Sequence, residues 1–413
     1  MTMLVAALSA AVLAGAGAML LELALRRWIN TRAPIHLRAP WTSFEITADP
    51  EVLPGLSPRI SFTCNAFGAR GGDVPVGGRT FKALAIGGSS VECFLLDDRE
   101  VWTEVAADRL RRPDAIARLD ADHVRIWNIG KSGVTTDTLV YALPDELARM
   151  PRLDVAIIMN GGSALLKWCE MGLPARLPPM QPSWVDIAFH RNVSWSWRPG
   201  GTALAECYRR LSAQRPGPAR KLDRLGRSVA KARALRAGAT NVIDTVPADA
   251  DWLAHYERSL GRVIDVVRTR ADHVLLIHQP IYQKSDPTAA EQAMFWHCAI
   301  GSADQPTGFL SHRLMIELND ELRRSTERVA RARGTEFLDP SARMPSSPEA
   351  YYDHYHYKPE GSRRLGELVA ERLLDIAAPR AAPRHDGTPS ARKLERHAFT
   401  ADRRDDGRPR SAT

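Results

Sequence analysis

Five short apolar runs, separated by segments with helical spacing, constrain the fold of this chain more than any other feature. They are FKALAIG (81–87), HVRIWNI (123–129), LDVAIIM (153–159), DHVLLIH (272–278) and TEFLD (335–339). Runs with so little polar alternation are typical of strands that are covered on both faces, and strands that alternate with helices favour a parallel sheet. The sequence therefore predicts an α/β domain built on a five-stranded parallel sheet.

The first segment is long and apolar enough to cross a membrane. MLVAALSAAVLAGAGAMLLELAL (3–25) contains only Ser9 and Glu22 as polar residues, and about 20 residues span the hydrocarbon core. A cleaved signal peptide is the alternative, because AGAGA supplies small residues. The arginines that follow the apolar run favour keeping its C-terminal side in the cytoplasm.

The rest of the chain divides by composition. We expect an anchor or signal at 1–27, an extension at 28–78 and the α/β domain at 79–377, with an insertion at about 164–250. The last segment, 378–413, is rich in Pro, Arg and Asp and poor in apolar residues, which predicts a disordered basic tail.

Charge and cysteine content exclude several classes of protein. The net charge of +8 is concentrated at 209–236, where ten basic residues accompany a single acid, Asp223. This segment is either a solvated basic face or a surface for anionic lipid or polymer. The chain has no nucleic-acid-binding signature. Its five scattered cysteines indicate neither a disulfide framework nor a zinc site.

Small and polar residues follow four of the predicted strands, at the edge of the sheet where α/β proteins bind ligands. These loops contain Ser89 and Ser90, Gly130 and Gly133, Asn160 to Ser163, and Gln279. Gln279 is a candidate substrate-binding residue. GKS (130–132) is not a phosphate-binding loop, because Arg125 stands where that motif needs a glycine.

The stretch YYDHYHYKPEG supplies a possible base for one of these serines. A serine is inert at neutral pH unless a base accepts its proton, and an imidazole oriented by a carboxylate can do so. Asp353 and His356 are three residues apart, a spacing that a tight turn can bring to one side. His354 lacks this spacing and is the weaker candidate.

Taken together, these segments resemble the SGNH/GDSL hydrolase family, and its membrane-anchored bacterial members in particular, over roughly residues 60–376. The blocks that resemble the family are IGGSS (86–90), NIGKSGVTT (128–136), NGGSALL (160–166) and DHYHYKPEG (353–361). The resemblance implies a flavodoxin-like three-layer α/β/α fold. It also implies a Ser89 nucleophile, an Asp353–His356 pair and Gly133 as a backbone oxyanion donor.

The third block departs from the family pattern. Ser163 stands where the family usually has an oxyanion asparagine, and Asn160 lies three positions earlier. Loss of one oxyanion donor costs about 10²–10³ in rate. A slow enzyme, an enzyme that uses Asn160 or a water molecule, and an inactive one all remain open.

We therefore expect a serine ester hydrolase or O-acyltransferase that forms an acyl-enzyme and requires no metal or organic cofactor. The resemblance implies small acyl esters, such as acetyl groups on an envelope or exported glycan, and a catalytic domain outside the cytoplasm. One alternative is a degenerate family member that binds glycan or acts as a scaffold. Another is a lipid esterase that uses segment 209–236 at the membrane surface. Four tryptophans in the insertion either cover the sheet or stack on sugars: Trp168, Trp184, Trp195 and Trp197.

Overall fold

The computed structural model describes residues 2–178, 187–191, 193, 198 and 200–377. The N-terminal elements are α1 (Thr2–Thr31), β1 (Ser43–Ala48), β2 (Ile60–Thr63), β3 (Thr80–Gly87), α2 (Ser89–Glu92), α3 (Trp102–Leu110), α4 (Pro113–Arg118), β4 (His123–Asn128), α5 (Thr136–Ala148), β5 (Leu153–Met159) and α6 (Gly161–Glu170). The remaining elements are α7 (Ala203–Ser212), β6 (Arg220–Leu225), α8 (Arg227–Ala237), β7 (Val242–Ile243), α9 (Trp252–Val267), β8 (Ala271–Ile277), α10 (Ala289–Gln292), β9 (Ala299–Ile300), β10 (Gly308–Leu310), α11 (His312–Arg333), β11 (Glu336–Leu338) and α12 (Pro359–Ala377).

The five predicted strands form one parallel sheet in the order β4-β3-β5-β8-β11. The prediction of a five-stranded parallel sheet is confirmed, and the strand order is that of flavodoxin-like folds. Strand β4 pairs with one edge of β3, and the next strand of the sheet along the chain, β5, pairs with the opposite edge of β3. A crevice therefore opens beside the carboxyl ends of β3 and β5, where ligands of such folds bind.

Helices cover both faces of this sheet, so the domain has three layers. Alternate residues of β3 point to opposite faces, as in any strand. Leu84 and Ile86 lie in one apolar core with α5, α9 and α11, and Ala83 and Ala85 lie in a second core with α3 and α12. Every residue of β5 is buried, which explains why its sequence lacks polar alternation.

Local signals fix the ends of two helices that follow the strands. Thr135 caps α5 through a capping box with Thr138, so this helix begins just after the Gly133 turn. Gly334 ends α11 in the left-handed conformation, at φ 58°, which glycine adopts readily at a helix end.

Helix α1 has two parts with different surroundings. Residues 2–21 are exposed, whereas Glu22, Arg26 and Ile29 are buried. The Glu22 carboxylate accepts hydrogen bonds from the amides of Ala203 and Leu204 at the start of α7 (2.7 and 3.1 Å). Among the described residues, α1 is the one helix long and apolar enough to cross a membrane, a test that a signal sequence also passes.

The extension and the insertion meet in a small sheet of order β2-β1-β6. The chain then forms α8, whose arginines contact the body of the domain. A second small sheet joins β7 to β10 and β9. Strands β9 and β10 belong to residues 278–311, which lie between β8 and α11 and form another excursion from the central fold. The predicted tail at 378–413, Trp184, Trp195 and Trp197 lie outside the described residues.

Candidate active site

The nucleophile turn begins where β3 ends, and two glycines allow it to pass close to β5. A Cβ on Gly87 would lie 2.0 Å from the carbonyl oxygen of Met159, and a Cβ on Gly88 would lie 2.1 Å from Ser163 Oγ. A side chain at position 87 would therefore push the ends of β3 and β5 apart, and one at position 88 would displace the Ser163 hydroxyl. Ser89 follows as the first residue of α2, where amide N–H groups have no acceptor within the helix.

Ser89, His356 and Asp353 form a continuous hydrogen-bonded relay. Ser89 Oγ lies 2.7 Å from His356 Nε2, and His356 Nδ1 lies 2.8 Å from Asp353 Oδ2. The three-residue spacing works as expected, because Asp353 Oδ1 also accepts from the amides of Tyr355 and His356, both at 2.8 Å. The turn thereby fixes the carboxylate and the imidazole relative to one another.

Two residues from the 278–311 excursion complete the surroundings of Asp353. Trp296 donates its indole N–H to Asp353 Oδ2 at 3.0 Å. His297 Nε2 lies 3.3 Å from the same oxygen and 3.4 Å from His356 Nδ1. The rings of Trp296 and His297 are in contact, with centroids 3.7 Å apart. Sequence reasoning missed both residues, since FWHC (295–298) matches no block of the resemblance and reaches the site through a long connection.

These contacts keep the carboxylate ionised although it is fully buried. Burial alone would raise the pKa of Asp353. The neighbouring imidazoles of His356 and His297 outweigh burial and hold this pKa well below its usual range. Burial also lowers the pKa of His297, against the opposing effect of Asp353. His297 is therefore neutral at pH 7, and the carboxylate can orient and stabilise a charged His356.

A buried ion-pair network holds the Gly133 turn beside the nucleophile. Glu92, in α2, accepts hydrogen bonds from the backbone amide of Ser132 at 2.7 Å and from the Ser132 hydroxyl, and it pairs with Arg38. Gly133 itself adopts φ +77°, a conformation that favours glycine. The network thus fixes the turn that carries the predicted backbone donor.

Arg70 anchors the loop that follows the nucleophile. Its guanidinium donates to the carbonyl oxygens of Glu92, Cys93 and Leu96 at 2.9–3.0 Å and pairs with Asp98. Arg70 lies in NAFGARG (65–71), in the segment before β3. Its role as an anchor of the loop was not evident from the sequence.

The two candidate side-chain oxyanion donors differ in position. Ser163 lines the same cavity as Ser89 and Gly133, and its hydroxyl lies against Gly88. Asn160 is buried and donates its amide to the carbonyl of Val134 at 3.1 Å, so that N–H supports the Gly133 turn. Of the two, only Ser163 borders the space in front of the nucleophile.

Gln279 lies behind the site, which argues against its predicted contact with substrate. Its Nε2 donates to Ser90 Oγ at 2.7 Å, and its Oε1 accepts from the Gly162 amide at 3.2 Å. Ser90 in turn donates to the carbonyl of Tyr355 at 3.0 Å. Both amide atoms of Gln279 and the hydroxyl of Ser90 are therefore used to tie the nucleophile turn to its neighbours.

Two other side chains near the turn are poor candidates for chemistry. His354 is fully buried and stacks on Phe295 with ring centroids 3.8 Å apart, and burial holds its pKa well below the usual range. Burial raises the pKa of the Cys93 thiol to about 12. His354 is therefore a weak base without access to a substrate, and the buried Cys93 thiol stays protonated at pH 7.

Open space in front of Ser89 leaves room for a substrate. A cavity of about 280 Å³ borders Ser89, Gly133, Ser163 and His356. Its more distant walls are Leu166, Lys167, Glu170, Ala232, Leu235 and Phe309. A second cavity of about 70 Å³ shares Gly133 and Lys167 with the first and ends at Trp252. Trp168 is buried and stacks on Trp252 (centroids 4.9 Å apart), so it covers the core.

Comparisons with known proteins find similarity at the level of three-dimensional structure only. No family model and no curated protein matches the chain. One similar solved structure is an acetylxylan esterase from Geobacillus stearothermophilus, with 14% identity, TM-score 0.37, and coverage of 72% of this chain and 93% of that one. A member of the lipolytic protein G-D-S-L family from Veillonella parvula has 9% identity, TM-score 0.36, and coverage of 70% and 96%.

A third similar structure is LAE5, an alpha/beta hydrolase from the metagenome of Lake Arreo, with 13% identity, TM-score 0.37, and coverage of 72% and 94%. The three similar proteins are described as an acetylxylan esterase, a member of a lipolytic family and an alpha/beta hydrolase. At such identities and TM-scores they support no inference about activity, which must rest on the residues of the site itself.

Proposed function

We propose that this protein is a serine-dependent ester hydrolase or O-acyltransferase that acts through an acyl-enzyme. The observation that carries the proposal is the relay from Ser89 Oγ to His356 Nε2 (2.7 Å) and from His356 Nδ1 to Asp353 Oδ2 (2.8 Å). A base must lie within hydrogen-bond reach, about 2.6–3.2 Å between heavy atoms, of the group that it deprotonates, and the distance from Ser89 to His356 meets this requirement. The distance from His356 to Asp353 lets the carboxylate orient the imidazole.

In the proposed reaction, His356 accepts the proton of Ser89 as Ser89 Oγ attacks the ester carbonyl carbon. Asp353 stabilises the imidazolium that forms. The imidazolium then donates its proton to the departing alkoxide, and the carbonyl is restored as an acyl-enzyme. Water attacks the acyl-enzyme in hydrolysis, and a second hydroxyl compound does so in transfer, each deprotonated by His356. The bond from the acyl carbon to Ser89 Oγ then breaks, and His356 returns the proton to Ser89 Oγ.

The oxyanion of the tetrahedral intermediate needs hydrogen-bond donors that are already in position. We assign this role to the backbone amides of Ser89 and Gly133, with the hydroxyl of Ser163 as a third donor. The network of Glu92 with Ser132 and Arg38 supports this assignment, because it holds the Gly133 turn without using the Gly133 amide.

We further propose that the substrate is a small O-acyl ester, such as an acetyl group on a cell-envelope or exported glycan. The two cavities that meet at Gly133 and Lys167 provide room on more than one side of the ester. Lys167, Glu170 and the face of Trp296 offer polar groups and an aromatic surface to sugar hydroxyls and C–H groups.

The same proposal places the protein on the cell membrane through α1, with the catalytic domain in the periplasm or outside the cell. The exposed part, residues 2–21, has the length that a membrane span requires. The helix then continues into the contacts of Glu22 with α7. An uncleaved anchor accounts for this continuity between the apolar segment and the fold.

Two observations weaken the alternative functions. Arg233 and Arg236 of the basic segment donate to backbone carbonyls inside the protein, which leaves fewer charges for a lipid surface. A degenerate binding protein has no need of the two aligned hydrogen bonds of Ser89, His356 and Asp353.

A rate assay tests the proposal. The full-length protein is incubated with an aryl acetate beside the Ser89→Ala and His356→Ala variants, with folding checked by circular dichroism. We expect both variants to lose at least about 10³-fold in kcat/KM, since the relay residues act as a unit. Equal rates in the wild-type protein and in folded variants would exclude an enzyme and favour a binding protein.

A further inference from the structure

We propose that His297, Asp353 and His356 form a binding site for a divalent transition-metal ion, with Zn²⁺ as the reference ion, and that this ion switches the relay off. Three potential ligand atoms converge here: His297 Nε2, Asp353 Oδ2 and His356 Nδ1. Their separations are 2.8 Å (Asp353 to His356), 3.3 Å (Asp353 to His297) and 3.4 Å (between the imidazoles).

These separations suit a tetrahedral ion. With ligand bonds of about 2.0–2.1 Å, two ligands of tetrahedral zinc lie roughly 3.3 Å apart. Two imidazole nitrogens and one carboxylate oxygen are ligands that zinc, copper and nickel accept, whereas magnesium and calcium prefer oxygen alone. The ligand types therefore select a transition metal, and the Asp353–His356 separation of 2.8 Å must open by about 0.5 Å to reach the tetrahedral value.

The surroundings supply the access and the support that such a site needs. His297 and His356 both border the cavity of about 280 Å³, from which an ion can enter and a water can provide the fourth ligand. The backbone of His297 is held by Arg236, which donates to its carbonyl at 2.7 Å.

Metal binding and catalysis exclude one another because both need His356 Nδ1. In the relay this nitrogen carries a proton toward Asp353, and Nε2 accepts the proton of Ser89. A metal on Nδ1 moves the single proton of the neutral imidazole to Nε2, so no base faces Ser89. His297 likewise shifts its proton to Nδ1, and no net proton is released.

Direct binding provides the first test and does not depend on turnover. Full-length protein without a polyhistidine tag is titrated with Zn²⁺ by calorimetry, and with Co²⁺ while visible absorption is recorded. We expect one site per chain and the intense bands of tetrahedral Co²⁺. The Ser89→Ala variant should bind with the same affinity, because Ser89 is not a ligand.

Substitution of His297 identifies the ligands. His297→Phe keeps a ring against Trp296, and we expect it to weaken Zn²⁺ binding by at least roughly 10–100-fold, the loss seen when even an outer partner of a ligand is removed. His255→Phe is the matched control, since His255 pairs with Asp137 at 2.5 Å outside the cluster. Should His297→Phe misfold, His297→Ser offers a second variant with the same expected loss.

Within this metal-site proposal, only the inhibition of esterase activity by the bound ion rests on the proposed function. Zn²⁺ should abolish aryl acetate hydrolysis, and a chelator should restore it. The His297→Phe variant should be less sensitive to inhibition by Zn²⁺, with the rate of each protein expressed relative to its own metal-free rate. Absence of a tetrahedral Co²⁺ spectrum, or equal affinity in His297→Phe, would overturn the metal site. Metal binding in a protein that lacks esterase activity would instead leave the site standing and overturn the proposed function.

Discussion

Arg236 of α8 donates a hydrogen bond of 2.7 Å to the backbone carbonyl of His297, and so joins the insertion to the segment that borders the catalytic carboxylate. Its other N–H group reaches the carbonyl of Leu310 at 2.8 Å. Arg233, one turn earlier, donates to the carbonyl of Tyr352 at 2.8 Å. Since no residue of α8 is buried, these guanidinium contacts hold the helix in place.

Replacement of Arg236 should therefore impair both stability and activity. Arg236→Met keeps an aliphatic stem but leaves two carbonyls without their donor, and we expect a loss of about 2–4 kcal/mol in the free energy of unfolding. A shift of His297 and Trp296 should lower kcat/KM by up to roughly 10²-fold. Urea unfolding and the aryl acetate assay measure the two effects. Lys231→Ala is the control on the same helix, because its exposed ion pair with Asp304 contributes little to stability.

Trp296 should contribute to the rate through its indole N–H. Trp296→Phe keeps an aromatic ring beside His297 but removes the donor to Asp353 Oδ2. A hydrogen bond to a charged group contributes about 1.5–3 kcal/mol, so we expect kcat to fall roughly 10–100-fold while KM changes little. An unchanged kcat in the folded variant would show that the indole N–H does not support the carboxylate.

Ser163 should act on the transition state, and Asn160 on the structure of the Gly133 turn. We expect Ser163→Ala to lower kcat/KM by roughly 10²-fold, the low end of the loss for one oxyanion donor, without a change in stability. Asn160→Ala should cost about 1 kcal/mol in the free energy of unfolding, because its hydrogen bond to Val134 is lost. Both variants are compared under conditions in which they are fully folded. If Asn160→Ala lowers kcat/KM there and Ser163→Ala does not, the donor role belongs to Asn160.

Stability should fall in acid because His278 is buried at the end of β8. Burial lowers the pKa of His278 from 6.5 to about 4. Between these values the unfolded chain binds a proton that the folded chain does not, so the free energy of unfolding declines as pH drops from about 6.5 to 4. The contribution is at most about 3 kcal/mol at 1.36 kcal/mol per unit of pKa.

His278→Gln tests this dependence, since its side-chain oxygen can still accept from Asn319, which donates to His278 Nε2 at 3.1 Å. Urea unfolding at pH 7, 6, 5 and 4 should give a shallower decline in the variant than in the wild-type protein. Parallel curves would mean that His278 does not titrate differently in the two states.

The central sheet and the relay were predictable because their signals are local. Fully buried parallel strands such as β5 appear as continuous apolar runs, and the Asp353–His356 spacing is a property of a single turn. Trp296, His297 and Arg236 were not predictable in the same way. They reach the site through the 278–311 excursion and α8, and no pattern within those segments indicates what they will contact.

Gln279 illustrates the opposite error. Its position at the end of a strand favoured a contact with substrate, but the neighbouring Ser90 hydroxyl and Gly162 amide both need hydrogen-bond partners in the interior. Satisfying those groups uses both atoms of the side-chain amide. A sequence pattern places a residue at an edge of the sheet, whereas the demands of neighbouring polar groups decide which way it faces.

Covalent capture of Ser89 is the most direct test of its role as the nucleophile. The full-length protein is treated with a fluorophosphonate, and intact mass is measured beside Ser89→Ala and the neighbouring Ser90→Ala. We expect one phosphonyl adduct in the wild-type protein and in Ser90→Ala, and none in Ser89→Ala. An adduct that persists in Ser89→Ala, or no adduct on the folded wild-type protein, would contradict that role.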